Sequence, residues 1–134
     1  MTRLEEVFNL MGEKAQAKKC DAMEGLVKEG AETMQEEYED LVMDSAIIGA
    51  AQRVEHYEIA AYGTVKEFAR LLGEDEQVSL LEQTLEEEKQ TDERLTQLAE
   101  EINSEAQEAG EGREEEGEKG EGKRRAKTSS RRAA

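Results

Sequence analysis

The stretch "SAIIGAAQRVEHYEIAAYGTVKEFARLLGED", residues 45–75, decides the fold. Ile47, Ala51, Val54, position 58, Ala61, Val65, Phe68 and Leu72 recur in alternating steps of 4 and 3. That is the pattern of a helix laying one seam on a core, and it predicts a helix over 44–72. Gly73 suits a left-handed C-terminal cap, and Asp75 suits the N-cap of a following helix. A turn this tight makes the two helices antiparallel neighbours. The residue that interrupts the stripe, at position 58, is a glutamate.

The following helix is predicted over 76–102, with Val78, Leu81, Leu85, position 88, position 92, Leu95, Ala99 and Ile102 in the same alternation. Positions 88 and 92 are Glu88 and Asp92. With residue 74 as the turn, Glu58 and Glu88 sit at nearly equal distances from it, as do Glu55 and Asp92. At about 1.5 Å of rise per residue the mismatches are about 3 Å and about 1.5 Å, less than one helical turn. Glu55, Glu58, Glu88 and Asp92 are therefore predicted to converge at one level between the helices.

Carboxylates gathered in a half-buried seam repel one another and lose hydration, so they protonate, reach water, pair with bases or bind a cation. Oxygen donors suit hard or borderline ions, and inward carboxylates on facing helices are how di-iron and di-manganese bundles hold their metals. The competing outcome is a shallow seam whose glutamates snorkel to water. His56 lies about 160° around the helix from Glu58, so it is predicted to be a surface or helix-packing residue, not a ligand. Tyr57 and Tyr62 are predicted to pack their rings with the hydroxyls exposed. Cys20, the single cysteine, has no partner at ligand spacing and is predicted to be a small core residue.

The rest of the chain agrees with an all-α class. Its 134 residues contain no proline, 39% charged residues and a net charge of −16, and glutamate, glutamine, alanine and leucine enter helices at little cost. Residues 3–11 carry Leu4, Val7, Phe8 and Met11 at helical spacing before Gly12, as in the last turns of a helix. A looser pattern over 18–38 places Cys20, Met23, Val27, Ala31, Met34 and Tyr38 on one face, and Gly25 and Gly30 shorten the expected helix. No apolar run approaches the roughly 20 residues of a membrane span. Without a signal-peptide pattern or a cysteine pair, a cytoplasmic location is expected.

The charge changes character at residue 103. Residues 103–134 hold 8 acids and 8 bases, so residues 1–102, with 26 acids and 10 bases, carry the whole net charge. The end divides into an acidic block, 105–121, and a basic one, 123–132, and its only apolar side chains are alanines. Such a segment buries too little to offset its ordering entropy and is expected to be a disordered tail. Its "KRRAKTSSRR" offers weak contact to an acidic surface, but it lacks the interleaved aromatics of a specific nucleic-acid site. No phosphate loop, nucleophile elbow or local triad signature is present.

The phrases "CDAMEGLVKEGAE", "AAQRVEHYEIAAYGTV" and "LLEQTLEEEKQTDERLTQLA" resemble the YciF-like family of ferritin-like proteins over residues 3 to 102. The resemblance implies a rubrerythrin-type four-helix bundle with a dinuclear iron or manganese site, an association with bacterial stress and no settled activity. It implies metal-side positions for Glu58, with Glu55 beside it, and for Glu88 and Asp92. Where ferritin-like proteins have Glu-x-x-His, Thr91 takes the place of the histidine. Family members have a first helix and most of a second before "RLEEVF", so a partial bundle is expected here. A start upstream of Met1, a natural truncation and two copies completing one another all satisfy that pattern. A monomer of this kind leaves an apolar face open, which predicts a homodimer or higher assembly. The other functional reading is a module without metal that uses its seam for self-association or to bind partner helices.

Overall fold

A computed structural model describes the backbone of residues 2–131 and the side chains of 2–111. Its elements are α1 (Arg3–Leu10), α2 (Asp21–Thr33), α3 (Asp40–Leu72) and α4 (Asp75–Arg131). No strand occurs among the described residues, and none of the helices is long and apolar enough to cross a membrane. The expected all-α, partial antiparallel bundle is what forms: α3 and α4 make its body, α1 lies on α4, and α2 lies on α3.

The α3–α4 turn follows its glycine signal, while the N-cap of α4 is Glu74 and not the expected Asp75, since the Val78 N–H donates to the Glu74 carbonyl. Gly73 has φ 76° and ψ 24°, a left-handed conformation that costs glycine little. The Gly73 N–H donates to the Arg70 carbonyl at 3.2 Å, and the Glu74 N–H to that of Ala69 at 3.0 Å. This 5→2 and 6→1 pair is a Schellman motif. Asp75 lies in the first turn of α4 and Glu74 precedes it, holding the amide of buried Gln77 at 2.7 Å. Side chains then pair at equal distances on either side of residue 74: Lys66 with Glu82 at 3.1 Å, Gln52 with Thr96 at 3.0 Å and Ser45 with Asn103 at 2.7 Å.

On α4 the predicted seam is the observed one. Val78, Leu81, Leu85, Glu88, Asp92, Leu95, Ala99 and Ile102 are all buried or half-buried. On α3 the seam is one stripe over from the expected position. Contact with α4 comes from Ser45, Gln52, Glu55 and Lys66, with Ile48, Ile59, Tyr62 and Ala69 at the same spacing, all buried or half-buried. The more apolar stripe predicted to be the core lies at the edge, where Val65 is 42%, Phe68 58% and Leu72 73% exposed. Periodicity finds an apolar stripe but does not say which neighbour it meets.

The short helices are more local. α1 opens on a capping box in which the Thr2 hydroxyl accepts from the Glu5 N–H and the Glu5 carboxylate accepts from the Thr2 N–H, a start signal that apolar spacing passes over. Arg3 ties α1 to α4 through Thr84 and a two-pronged ion pair with Glu87. α2 is the short helix expected within 18–38, but its contact face is turned from the predicted one. Met23, Leu26, Gly30 and Ala31 are half-buried, whereas Val27, Met34 and Tyr38 are exposed. At Gly30 the helix passes close to α3, where an added Cβ would stand 3.7 Å from that of Ala50.

Residue 102, the expected end of the folded part, is not the end of α4. Ile102 and Ala106 are half-buried, and Ala106, Ala109 and Gly110 border a pocket shared with Asp40 to Val42 at the start of α3. The α4 backbone continues to Arg131. The acidic and basic blocks of the expected tail lie, from residue 112 on, outside the described side chains.

Leu85 is 5% exposed and Leu72 is 73% exposed. Urea unfolding should therefore show a loss of about 2–5 kcal/mol for Leu85→Ala and a change within about 0.5 kcal/mol for Leu72→Ala. Equal losses would contradict this packing.

Candidate metal centre

Glu55 and Glu58 stand one turn apart on α3, and Glu88 faces them from α4. One carboxylate oxygen from each lies within 4.8 Å of the other two. All three residues are half-buried, so they keep only part of their hydration while sharing a small volume. Burial and then Glu88, by hydrogen bond and charge, push the Glu55 carboxyl from its ordinary 4.5 up to about 7, with Glu58 and Asp92 adding to the rise. Burial and the charge of Glu88 also raise Glu58. Glu55 therefore holds its proton to a higher pH than an ordinary carboxyl.

One atom is left without relief. Glu55 Oε2 is buried and has no hydrogen-bond partner among the described residues. A buried acceptor in that state costs about 1–3 kcal/mol, more when charged. The closest candidate for a compensating base, Arg3, acts on Glu88 at a distance while its guanidinium is committed to Glu87. Oxygens bound to one divalent cation at about 2.0–2.6 Å lie about 3–5 Å from one another, so the three carboxylates fit a single hard or borderline ion. Glu55, which carries the orphaned oxygen, is a member of that triad.

The fourth expected residue, Asp92, is half-buried in the same seam but stands outside the triad. Its Oδ2 meets His56 Nε2 at 3.0 Å, and its Oδ1 accepts from Gln52 Nε2 at 3.4 Å. His56 does face away from Glu58 as the helical angle requires, and its side chain is 68% exposed. It is nonetheless a cross-helix residue, because the direction that leaves Glu58 leads along the flank of α4 to Asp92. Thr91, in the place of the family histidine, is exposed and bonds its own helix at the Glu87 carbonyl.

The structure corrects Cys20, which was expected in the core. It is exposed, caps the start of α2 by accepting from the Met23 N–H, and lies 3.0 Å from the Tyr57 hydroxyl. The Tyr57 bond and the backbone N–H of Met23 lower its thiol pKa, and the same contact raises that of Tyr57. A tight position just before "DAMEG" was the available signal for a cap. Tyr62 packs within the α4-facing stripe, where burial and the charges of Glu58 and Glu88 raise its phenol. Leu4 of α1, Cys20 and Met23 of α2, and Tyr57, Glu58 and Val65 of α3 line a groove of about 290 Å³ that opens beside Glu58.

The raised Glu55 carboxyl has a defined pH signature. Its stabilising proton is fully present below the unfolded value near 4.5 and is lost as pH rises through about 7. In chelator, Glu55→Gln, which imitates the protonated form, should match the native protein near pH 4.5 and be the more thermally stable of the two above about 7. A variant with no advantage at the higher pH would contradict the assignment.

Comparison with known proteins places this geometry. A family model described as a domain of unknown function, DUF892, matches residues 1–108. Protein YciF of Escherichia coli (strain K12) is 53% identical over 81 residues, which make up 60% of this chain and 49% of that protein. The crystal structure of the E. coli stress protein YciF aligns with a TM-score of 0.73 and 45% identity, over 76% of this chain and 65% of that one. YcfI from Rhodopseudomonas palustris aligns with a TM-score of 0.67 and 45% identity, over 70% and 60% of the two chains. The chain thus spans about half the length of the curated relative it matches. With more than three quarters of its residues inside the family match, and a bundle shared with YciF, the chain belongs to the DUF892 family of YciF-like proteins.

Proposed function

We propose that this chain is a stress-associated YciF-like protein of the cytoplasm whose Glu55, Glu58 and Glu88 bind a divalent iron or manganese ion. The observation that carries the reading is the unpartnered buried Glu55 Oε2 inside a three-carboxylate cluster. The all-oxygen donor set favours Fe(II) or Mn(II) over softer ions. The bound ion would supply a Lewis-acidic centre, redox-active in the case of iron. The chain's own residues hold it: Glu55 gives up its raised proton on binding, Glu58 closes the groove side, and Glu88 approaches from α4. Metal affinity should therefore rise with pH.

Calorimetric titration with Mn(II), with metal analysis of the loaded protein, tests the reading. Ion binding to the native state should raise thermal stability, by about 2.7 kcal/mol at 100 times the dissociation constant. Glu58→Leu should remove that gain and stabilise the metal-free protein, since one buried charge is gone. Absence of binding together with a stabilised variant would leave the reading without support.

The exposed Val65, Phe68 and Leu72 favour self-association as an additional property. Size-exclusion chromatography with light scattering should report a dimer or larger assembly at micromolar concentration, reduced to monomer by Phe68→Glu. A stable native monomer refutes it. If self-association persists while no metal binds, the module without metal is the better description.

A further inference from the structure

Asp92 stands one turn beyond Glu88 on the same face of α4, and its charge is one of those that raise the Glu55 carboxyl. It is as much a part of the seam as the triad, with a side chain only 22% exposed. What separates it from the triad is its hydrogen bonding. His56 Nε2 lies 3.0 Å from Oδ2, Gln52 Nε2 donates to Oδ1 at 3.4 Å, and the same Gln52 amide donates to Thr96 at 3.0 Å. Gln52 and His56 are one turn apart on α3 and lie on either side of Glu55 in the sequence. Together they hold both oxygens of Asp92 on the flank of the seam, next to a cluster that already carries more negative charge than it can ionise.

This arrangement has a use. Hard divalent ions take about six oxygen ligands, and three carboxylates leave positions open. A fourth carboxylate permanently inside the cluster would add strong repulsion to the metal-free protein, whereas one held beside it adds less, the smallest of the contributions that raise Glu55. We propose that His56 is a positioning residue that parks Asp92: it holds this carboxylate aside in the metal-free protein and releases it to become a fourth ligand when a cation occupies the triad. The proposal rests on the metal-binding function above. His56 is suited to the role because its contact with Asp92 is solvent-exposed and weak enough to exchange.

The test is calorimetric titration of the full chain with Mn(II) at neutral pH, for the native protein, His56→Ala, Asp92→Asn and the double variant. Circular dichroism serves to establish that each is helical. Loss of the competing bond should tighten Mn(II) binding about two- to fivefold in His56→Ala. Loss of the carboxylate should weaken it about tenfold in Asp92→Asn. The double variant should match Asp92→Asn, because His56 acts only through Asp92. As a readout independent of affinity, the His56 ring resonances should shift on addition of diamagnetic Mg(II) in the native protein and stay unchanged in Asp92→Asn. If the native protein binds Mn(II) but His56→Ala binds equally or more weakly, or Asp92→Asn is unaffected, parking is overturned and the triad stands. If the native protein binds no Mn(II), both readings fall.

Discussion

The left-handed turn at Gly73 is the constraint on which the rest of the molecule depends. Its two backbone hydrogen bonds end α3 and hand the chain to α4 with only Glu74 between the capping glycine and the new helix. With so little slack, the register of about 30 residues on either side follows from one turn. A single inserted residue would rotate α4 by about 100° against α3 and bring Glu87 to the place of Glu88. The polar rungs at Lys66–Glu82, Gln52–Thr96 and Ser45–Asn103 all report that one register.

A seam that carries carboxylates at its middle needs apolar burial on both sides of them. Leu81 and Leu85 provide it toward the turn and Ile48 toward the far end. A fully buried leucine or isoleucine contributes about 1.5–3 kcal/mol, comparable with the cost of one unsatisfied buried acceptor such as Glu55 Oε2. The metal-free helix pair therefore has little surplus at that level. Arg3 adds an exposed ion pair on the α4 flank, which fixes α1 beside the site but leaves the cluster's own charge in place.

How much of this was legible depended on how many stripes a helix carries. α4 has one apolar stripe, so its seam, including Glu88 and Asp92, could be read directly from spacing. α3 has two usable stripes, and hydrophobicity selects the one with Val65, Phe68 and Leu72, although the stripe that meets α4 holds Gln52, Glu55, Tyr62 and Lys66. The convergence of Glu55, Glu58 and Glu88 survived that error because Glu55 and Glu58 belong to adjoining stripes and meet at the edge of the interface. Side-chain direction was not legible. The departure of Asp92 toward His56, and of Cys20 toward Tyr57, depends on rotamers and cross-helix partners, which helical angle alone does not specify.

The position of Glu58 links the site to the open face. It lies on the stripe of Val54, Ala61, Val65 and Phe68, whereas Glu55 lies on the stripe against α4. Whatever covers Val65 and Phe68, whether a second copy or the helices that longer relatives possess, also removes water from Glu58 and from the groove beside it. That desolvation makes the charged carboxylates costlier without an ion and strengthens their attraction for one, since both effects grow as the local dielectric falls. Under the proposed metal binding, covering the face and filling the triad would share a free-energy term, and each would favour the other by the same factor. In the single chain the seam is half-open, and the raised Glu55 carboxyl is the form in which a proton offsets the charge gathered there.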